Sequence, residues 1–247
     1  AGIISGSGQV VKRGSGSLTL SGVNTFTGNT LVEAGNLLLG NGSSSGTAAG
    51  GIIVQSGATL DLNGITLPIG EVVTVAGTGT AGFCLTGAGT TLAALSLSSN
   101  ATIGGSARIN LGTGAVPVNI TGNKTLTKSG TGSVWYRGPE NGAGNAVASL
   151  LIQAGTFGVE TGNNALGTVP VTVHATGVFS AWGNNGGVAA TTQKNPVTLN
   201  GGTLASAYDG QTWTGAVALT ADSFLSIDLN AEDFTITTQD DMLASLD

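Results

Sequence analysis

The chain has 247 residues, of which 43 are Gly, 40% are hydrophobic, 8% are charged and 4% are aromatic. Gly is thus about 17% against a usual ~7%, while charge falls far below the usual ~25%. Seven Lys and Arg against 13 Asp and Glu give a net charge of −6, which leaves nucleic-acid binding without electrostatic footing; the apolar content argues against disorder, and a single Cys excludes an intrachain disulfide framework.

No segment sustains an apolar stripe at helical spacing for three turns, and no run of 18 apolar residues could cross a membrane as a helix. Short alternating runs recur instead. The chain opens with apolar Ile3, Ile4, Val10 and Val11, without a polar cap. Leu18-Thr19-Leu20, Leu37-Leu38-Leu39 and Leu60-Asp61-Leu62 follow. Residues two apart share a strand face, so Thr19, Leu38 and Asp61 are expected to point outward. Gly, Asn or Ser bounds each run, as turns require.

These runs repeat at two periods. Glu33-Ala34-Gly35-Asn36-Leu37 returns as Gln153-Ala154-Gly155-Thr156-Phe157, an offset of 153 − 33 = 120. Lys12-Arg13-Gly14-Ser15-Gly16-Ser17-Leu18 returns as Lys128-Ser129-Gly130-Thr131-Gly132-Ser133-Val134, an offset of 116. The chain therefore reads as one domain of two tandem units, approximately 1–116 and 117–247. Within each unit, Gly35 to Gly57 and Gly155 to Gly177 are both 22 residues apart. A turn glycine every ~20 residues with short strands between predicts an all-β chain, a parallel β-helix (β-solenoid) with coils of about 20–22 residues and inward stacks of Leu, Val, Ile and Ala.

The run from Val11 to Leu39 also resembles the autotransporter-associated β-strand repeat of bacterial autotransporter passengers. That pattern is carried by Lys12, Gly14, Gly16, Leu18, Leu20, Ser21, Gly22, Asn24, Phe26, Gly28, Thr30, Val32, Ala34, Gly35 and Leu37. A second copy keeps Lys128, Gly130, Gly132, Val134, Tyr136, Gly138, Ala154 and Gly155, with a Gly- and Asn-rich insertion after Pro139. The resemblance implies a right-handed parallel β-helix, secreted or displayed on the surface of a bacterium. It implies no activity, because the repeat is a scaffold. A complete autotransporter also carries a leader and a membrane-inserted β-barrel. The chain is expected to be a stretch of a longer passenger or a recurring building block.

Motifs for chemistry are weak. Gly77-Thr78-Gly79-Thr80-Ala81-Gly82 fits a dinucleotide fingerprint, but Phe83 to Gly87 offers another strand and turn where that site needs a helix. Gly42-Ser43-Ser44-Ser45-Gly46 fits a nucleophile elbow in spacing alone and reads as a floppy polar loop. His174 reads as an outward strand residue and Cys84 as a buried one. Asp61, Glu71, Glu140 and Glu160 are isolated in sequence, and at a 22-residue coil Asp61 would stack on Leu39 and Phe83. No catalytic residue, cofactor or metal site is therefore expected, and no enzyme.

Two functional classes stay open. One is an extracellular structural filament, fibre or layer built by head-to-tail self-association. Its contacts are Lys12 and Arg13 at the start against the acidic end that includes Asp240 and Asp241. The other is an adhesive binding module that contacts a glycan or cell surface. Trp135, read as outward because neighbouring Tyr136 faces inward, is its candidate ligand contact, together with the loop from Pro139 to Ala148. Asp228 to Asp233 is an alternative calcium-binding stretch that lacks the Gly and distal Glu of an EF-hand loop.

Overall fold

The computed structural model describes residues 2–113, 117–161, 163–182, 191–207, 211–227 and 234–236. Its strands pair in parallel throughout. Among the described residues, a single antiparallel bridge, His174 to Gly201, is isolated from the ladders, and one short 3-10 turn spans Glu140–Gly142. Parallel neighbours cannot be joined by a tight hairpin, so the chain must travel round before it returns. Here it returns through turns and further short strands, and the result is a parallel β-solenoid.

One ladder runs almost the whole way. It comprises Ser17–Leu20, Gly35–Leu39, Ala58–Asp61, Leu85–Thr86, the end of Ala94–Gly104, Thr125–Ser129, the beginnings of Ser149–Thr161 and Val171–Ala181, then Val197–Asn200 and Val217–Ala221. Ten strands in register mean nine turns of the chain. A second ladder lies beside its first half: Val10–Lys12, Thr30–Val32, Ile52–Val54, Val72–Gly77, the start of Ala94–Gly104 and Ile120–Thr121. A third lies beside its later half: Thr90–Leu92, Ile109–Leu111, Ser133–Arg137, the ends of the two long strands, Thr203–Ser206 and Phe224–Ile227.

Alternation within each strand builds the core. Leu37 and Leu39 are fully buried and Leu38 between them is half-exposed. Inward residues then stack from coil to coil, as in Leu37–Leu60–Leu85–Ile103 and Val32–Val54–Val75–Leu97. Aromatics join the column Val134–Phe157–Phe179–Leu204. Each such side chain contributes about 1.5–3 kcal/mol by leaving water.

The coils are less regular than the spacing of glycines suggested. Leu85 to Ile103 is 103 − 85 = 18 residues and Val171 to Val197 is 26. Strand pairing constrains only the residues in the ladders, and the turns between can lengthen freely. Gly155 does pair with Gly177, but Gly35 pairs with Ala58. Asp61 stands beside Leu38 and accordingly level with Thr86, neither of them charged. Leu18, expected to face the core, is 39% exposed, because among the described residues its strand is covered on one edge only, by Gly35–Leu39.

Candidate ligand-contact surface

The two copies of the repeat place a lysine in the same way. Lys12 follows Val10, and Lys128 follows Leu126, on the inward face of their strands. Lys128 lies in register between Ile103 and Ile152. Each ammonium then turns to a corner of the coil. Lys12 Nζ donates to the carbonyls of Arg13, Gly14 and Ala34 at 3.0, 2.6 and 2.9 Å. Lys128 Nζ donates to those of Ser129, Gly130 and Ala154 at 3.0, 2.8 and 2.8 Å. Three N–H groups meet three carbonyls, two from the lysine's own turn and one from the next coil. Burial pushes the Lys128 ammonium down to about 8, and the three carbonyl dipoles oppose that shift. Gly35 and Gly155 sit against these corners with positive φ; a Cβ on either would overlap the carbonyls and the ammonium. Lys12 is therefore a buried structural group, 6% exposed, and not the surface charge that the sequence suggested.

Outward residues of the third ladder make the most concentrated polar and aromatic face. Asn110 pairs in register with Trp135, and Trp135 with Gly158. A side chain at Gly158 would overlap the indole of Trp135, so the glycine is what lets the ring lie there. Trp182 meets Trp135 edge-on, with ring centroids 4.9 Å apart and planes at 82°. Arg108 Cζ lies 5.1 Å from the centre of the Trp135 ring. Trp135 is thus outward in the strand but only 9% exposed, because these neighbours cover it. The expectation of an open Trp135 platform is corrected accordingly. Arg108 Nη2 donates to Glu160 Oε2 at 2.9 Å, Arg137 Nη2 forms an ion pair with the same oxygen at 2.8 Å, and Arg108 Nε donates to Asn110 Oδ1 at 2.6 Å.

The loop from Pro139 to Ala148 forms a groove of about 640 Å³ with residues 164–170. Asn145 ties it to the body. Its Oδ1 accepts from Ile120 N at 2.9 Å and lies 2.7 Å from the Tyr136 hydroxyl, while its Nδ2 donates to Ala165 O at 2.7 Å. Tyr136 is fully buried, as its alternation requires. Trp213 is also buried, edge-on to Phe179 at 5.9 Å, and offers no surface.

The remaining candidates are quickly placed. Arg13 is exposed and pairs with Glu33 at 2.7 Å. Asp240, Asp241 and the calcium stretch Asp228 to Asp233 lie outside the described residues. Cys84 is buried and donates to Thr102 O, with its thiol pushed up to about 12 by burial. No helix follows Gly77 to Gly82; Leu85–Thr86 is the next element. Ser44 and Ser45 are buried rather than floppy. Ser45 Oγ donates to Glu71 Oε1 at 2.6 Å, and burial pushes the Glu71 carboxyl up. Among the described residues, no three His, Cys, Asp or Glu side chains gather to hold a metal.

Sequence reasoning missed the lysine corners and the Arg–Trp–Glu face. The parity of Lys12 with Val10, and of Lys128 with Leu126, carried the first signal. The second had none, since it depends on irregular coil lengths.

A rod of stacked coils with a polar, aromatic outer face is a scaffold that presents side chains, and comparison with known proteins agrees. Residues 10–39 match the passenger-associated-transport-repeat family. Over 172 residues the chain is 29% identical to a protein named adhesin BmaC autotransporter, from Brucella suis biovar 1 (strain 1330). That alignment covers 66% of this chain and 4% of the relative, so the chain spans only a small part of that relative's length. No solved structure matches significantly. Together these findings support an autotransporter passenger with repeats, which implies secretion or a cell-surface location in a bacterium.

Proposed function

We propose that the chain is a segment of an adhesive passenger, a stiff β-solenoid that holds contact surfaces away from the bacterial cell. The similarity to an autotransporter adhesin over 66% of the chain carries this reading. It favours the adhesive class over the purely structural one and a non-enzymatic role. The loop groove from Pro139 to Ala148 is the natural variable contact surface, because loops on a rigid scaffold change without disturbing the core. The matching corners of Lys12 and Lys128 favour a tandem duplication, with units near 1–116 and 117–247. The test coats beads with the purified chain and counts attachment to cell layers or extracellular matrix. Attachment above that of albumin-coated beads is expected, reduced when residues 139–148 are replaced by a short Gly-Ser turn. Attachment no better than albumin would overturn the reading.

Head-to-tail self-association is a second reading, favoured by one observation. The first coil exposes Ile3 (69%), Ile4 (40%) and Leu18 (39%), and no strand pairs with its outer edge among the described residues. Such an edge accepts another coil, either from a neighbouring stretch of a longer passenger or from a second copy. Backbone pairing and apolar burial would drive that contact. Lys12 contributes no surface charge to it, and the Arg13 charge is already met by Glu33.

A further inference from the structure

We infer that the outward face around Arg108, Arg137 and Glu160 is a binding site for a carboxylate-bearing saccharide. This inference rests on the adhesive reading and names its ligand class. In a chain with seven basic residues and a net charge of −6, two of the three arginines and two of the three tryptophans meet at one place. They come from positions 108, 135, 137, 160 and 182, so the folding of several coils assembles them.

The charges there do not cancel. Both guanidinium groups converge on one carboxylate, and on the same oxygen of it, at 2.9 and 2.8 Å. Two positive charges against one negative leave a local excess of one. Each guanidinium has five N–H donors. Arg137 meets Glu160 through Nη2, 2.8 Å from Oε2, so its Nε and Nη1 donors are not spent on that carboxylate. Arg108 is 37% and Arg137 23% exposed at the side chain, while Glu160 is 13% exposed. The arginines are therefore reachable, and the carboxylate that orients them is largely covered. A planar guanidinium with free donors suits an incoming carboxylate and takes it in two parallel hydrogen bonds. Trp182, half-buried beside Trp135, adds an apolar flank on which the C–H face of a sugar ring packs. Arg108 already uses the Trp135 ring, at 5.1 Å, so the indole also holds that guanidinium in place. A charged ring with an apolar face satisfies both features, whereas a neutral sugar leaves the excess charge unanswered.

The test measures binding of a galacturonic acid oligomer to the chain by calorimetry at low salt, alongside the same oligomer as its methyl ester. The acid is expected to bind, and the ester about tenfold or more weaker. Arg137→Gln and, separately, Arg108→Gln should weaken the acid about tenfold, with circular dichroism unchanged. Glu160→Gln removes the internal competitor and should tighten the acid severalfold. A merely structural ion pair predicts the opposite pattern: lower melting temperatures for all three variants and no change in affinity. Failure of the acid to bind, equal binding of acid and ester, or affinities indifferent to the three variants would overturn the inference. If wild-type beads still attach to cells in that event, the adhesive reading stands and the ligand lies elsewhere.

Discussion

At the scale of single residues, the solenoid depends on a few polar groups placed where apolar ones are the rule. Glu71 is fully buried, accepts from Ser45, and its Oε2 has no hydrogen-bond partner among the described residues. Burial raises its carboxyl, so the folded chain keeps a proton that the unfolded chain gives up earlier. The stabilisation is complete below the unfolded value and is lost as pH rises through the folded one. Melting temperature should fall as pH rises above about 4, the unfolded carboxyl's range, and Glu71→Gln should remove this group's share of the fall. Equal slopes for the two proteins would refute the assignment. The lysine corners give a second expectation. Lys128→Met leaves three half-buried carbonyls without the ammonium donor and should cost about 2–4 kcal/mol in urea unfolding. Lys12→Met should cost less, because the first coil has one side open to water.

At the scale of elements, turns and loops differ in what they carry. The loop from Pro139 to Ala148 varies from the repeat pattern, yet Asn145 within it serves Ile120 N, the Tyr136 hydroxyl and Ala165 O at once. The loop's conformation is thus coupled to a core aromatic. Asn145→Ala should destabilise by about 1–3 kcal/mol, and the loss should shrink when Tyr136 is already Phe. Additive losses in that double-mutant cycle would mean that the loop and the core are independent. Two turn asparagines serve the coil corners: Asn41 Nδ2 donates to Ser21 O at 2.7 Å, and Asn123 has a φ of 49°.

At the scale of the whole molecule, parallel stacking leaves unpaired backbone at an edge, and here that edge is apolar. If copies associate through the first coil, Ile4→Asp together with Leu18→Asp should abolish concentration-dependent growth in sedimentation while leaving the fold intact. Salt should change the growth little, since exposed ion pairs are worth only ~0–1 kcal/mol and Arg13 is internally compensated. A chain that sediments as a monomer at every concentration would leave the open edge to a neighbouring stretch of passenger.

Local pattern alone determined that this chain is a parallel solenoid. Alternation at Leu37-Leu38-Leu39, turn glycines and the recurrence of Lys-x-Gly-x-Gly are properties of neighbouring residues, and β-strand faces follow from a period of two. The same alternation placed Tyr136 inside and Leu38 outside. What stood opposite what was decided only by the tertiary structure. Coils of 18 to 26 residues shift each register by amounts the turns alone set, so Asp61 came beside Thr86 rather than Phe83. For the same reason Trp135, outward by parity, was covered by Trp182 and Arg108 from other coils. Lys12 shows the sharper limit. A lysine near the start of a chain reads as a surface charge, yet three carbonyls brought together by the coil's corner satisfy its ammonium inside. A buried charge is stable only where folding assembles its partners, and no single stretch of sequence contains them all.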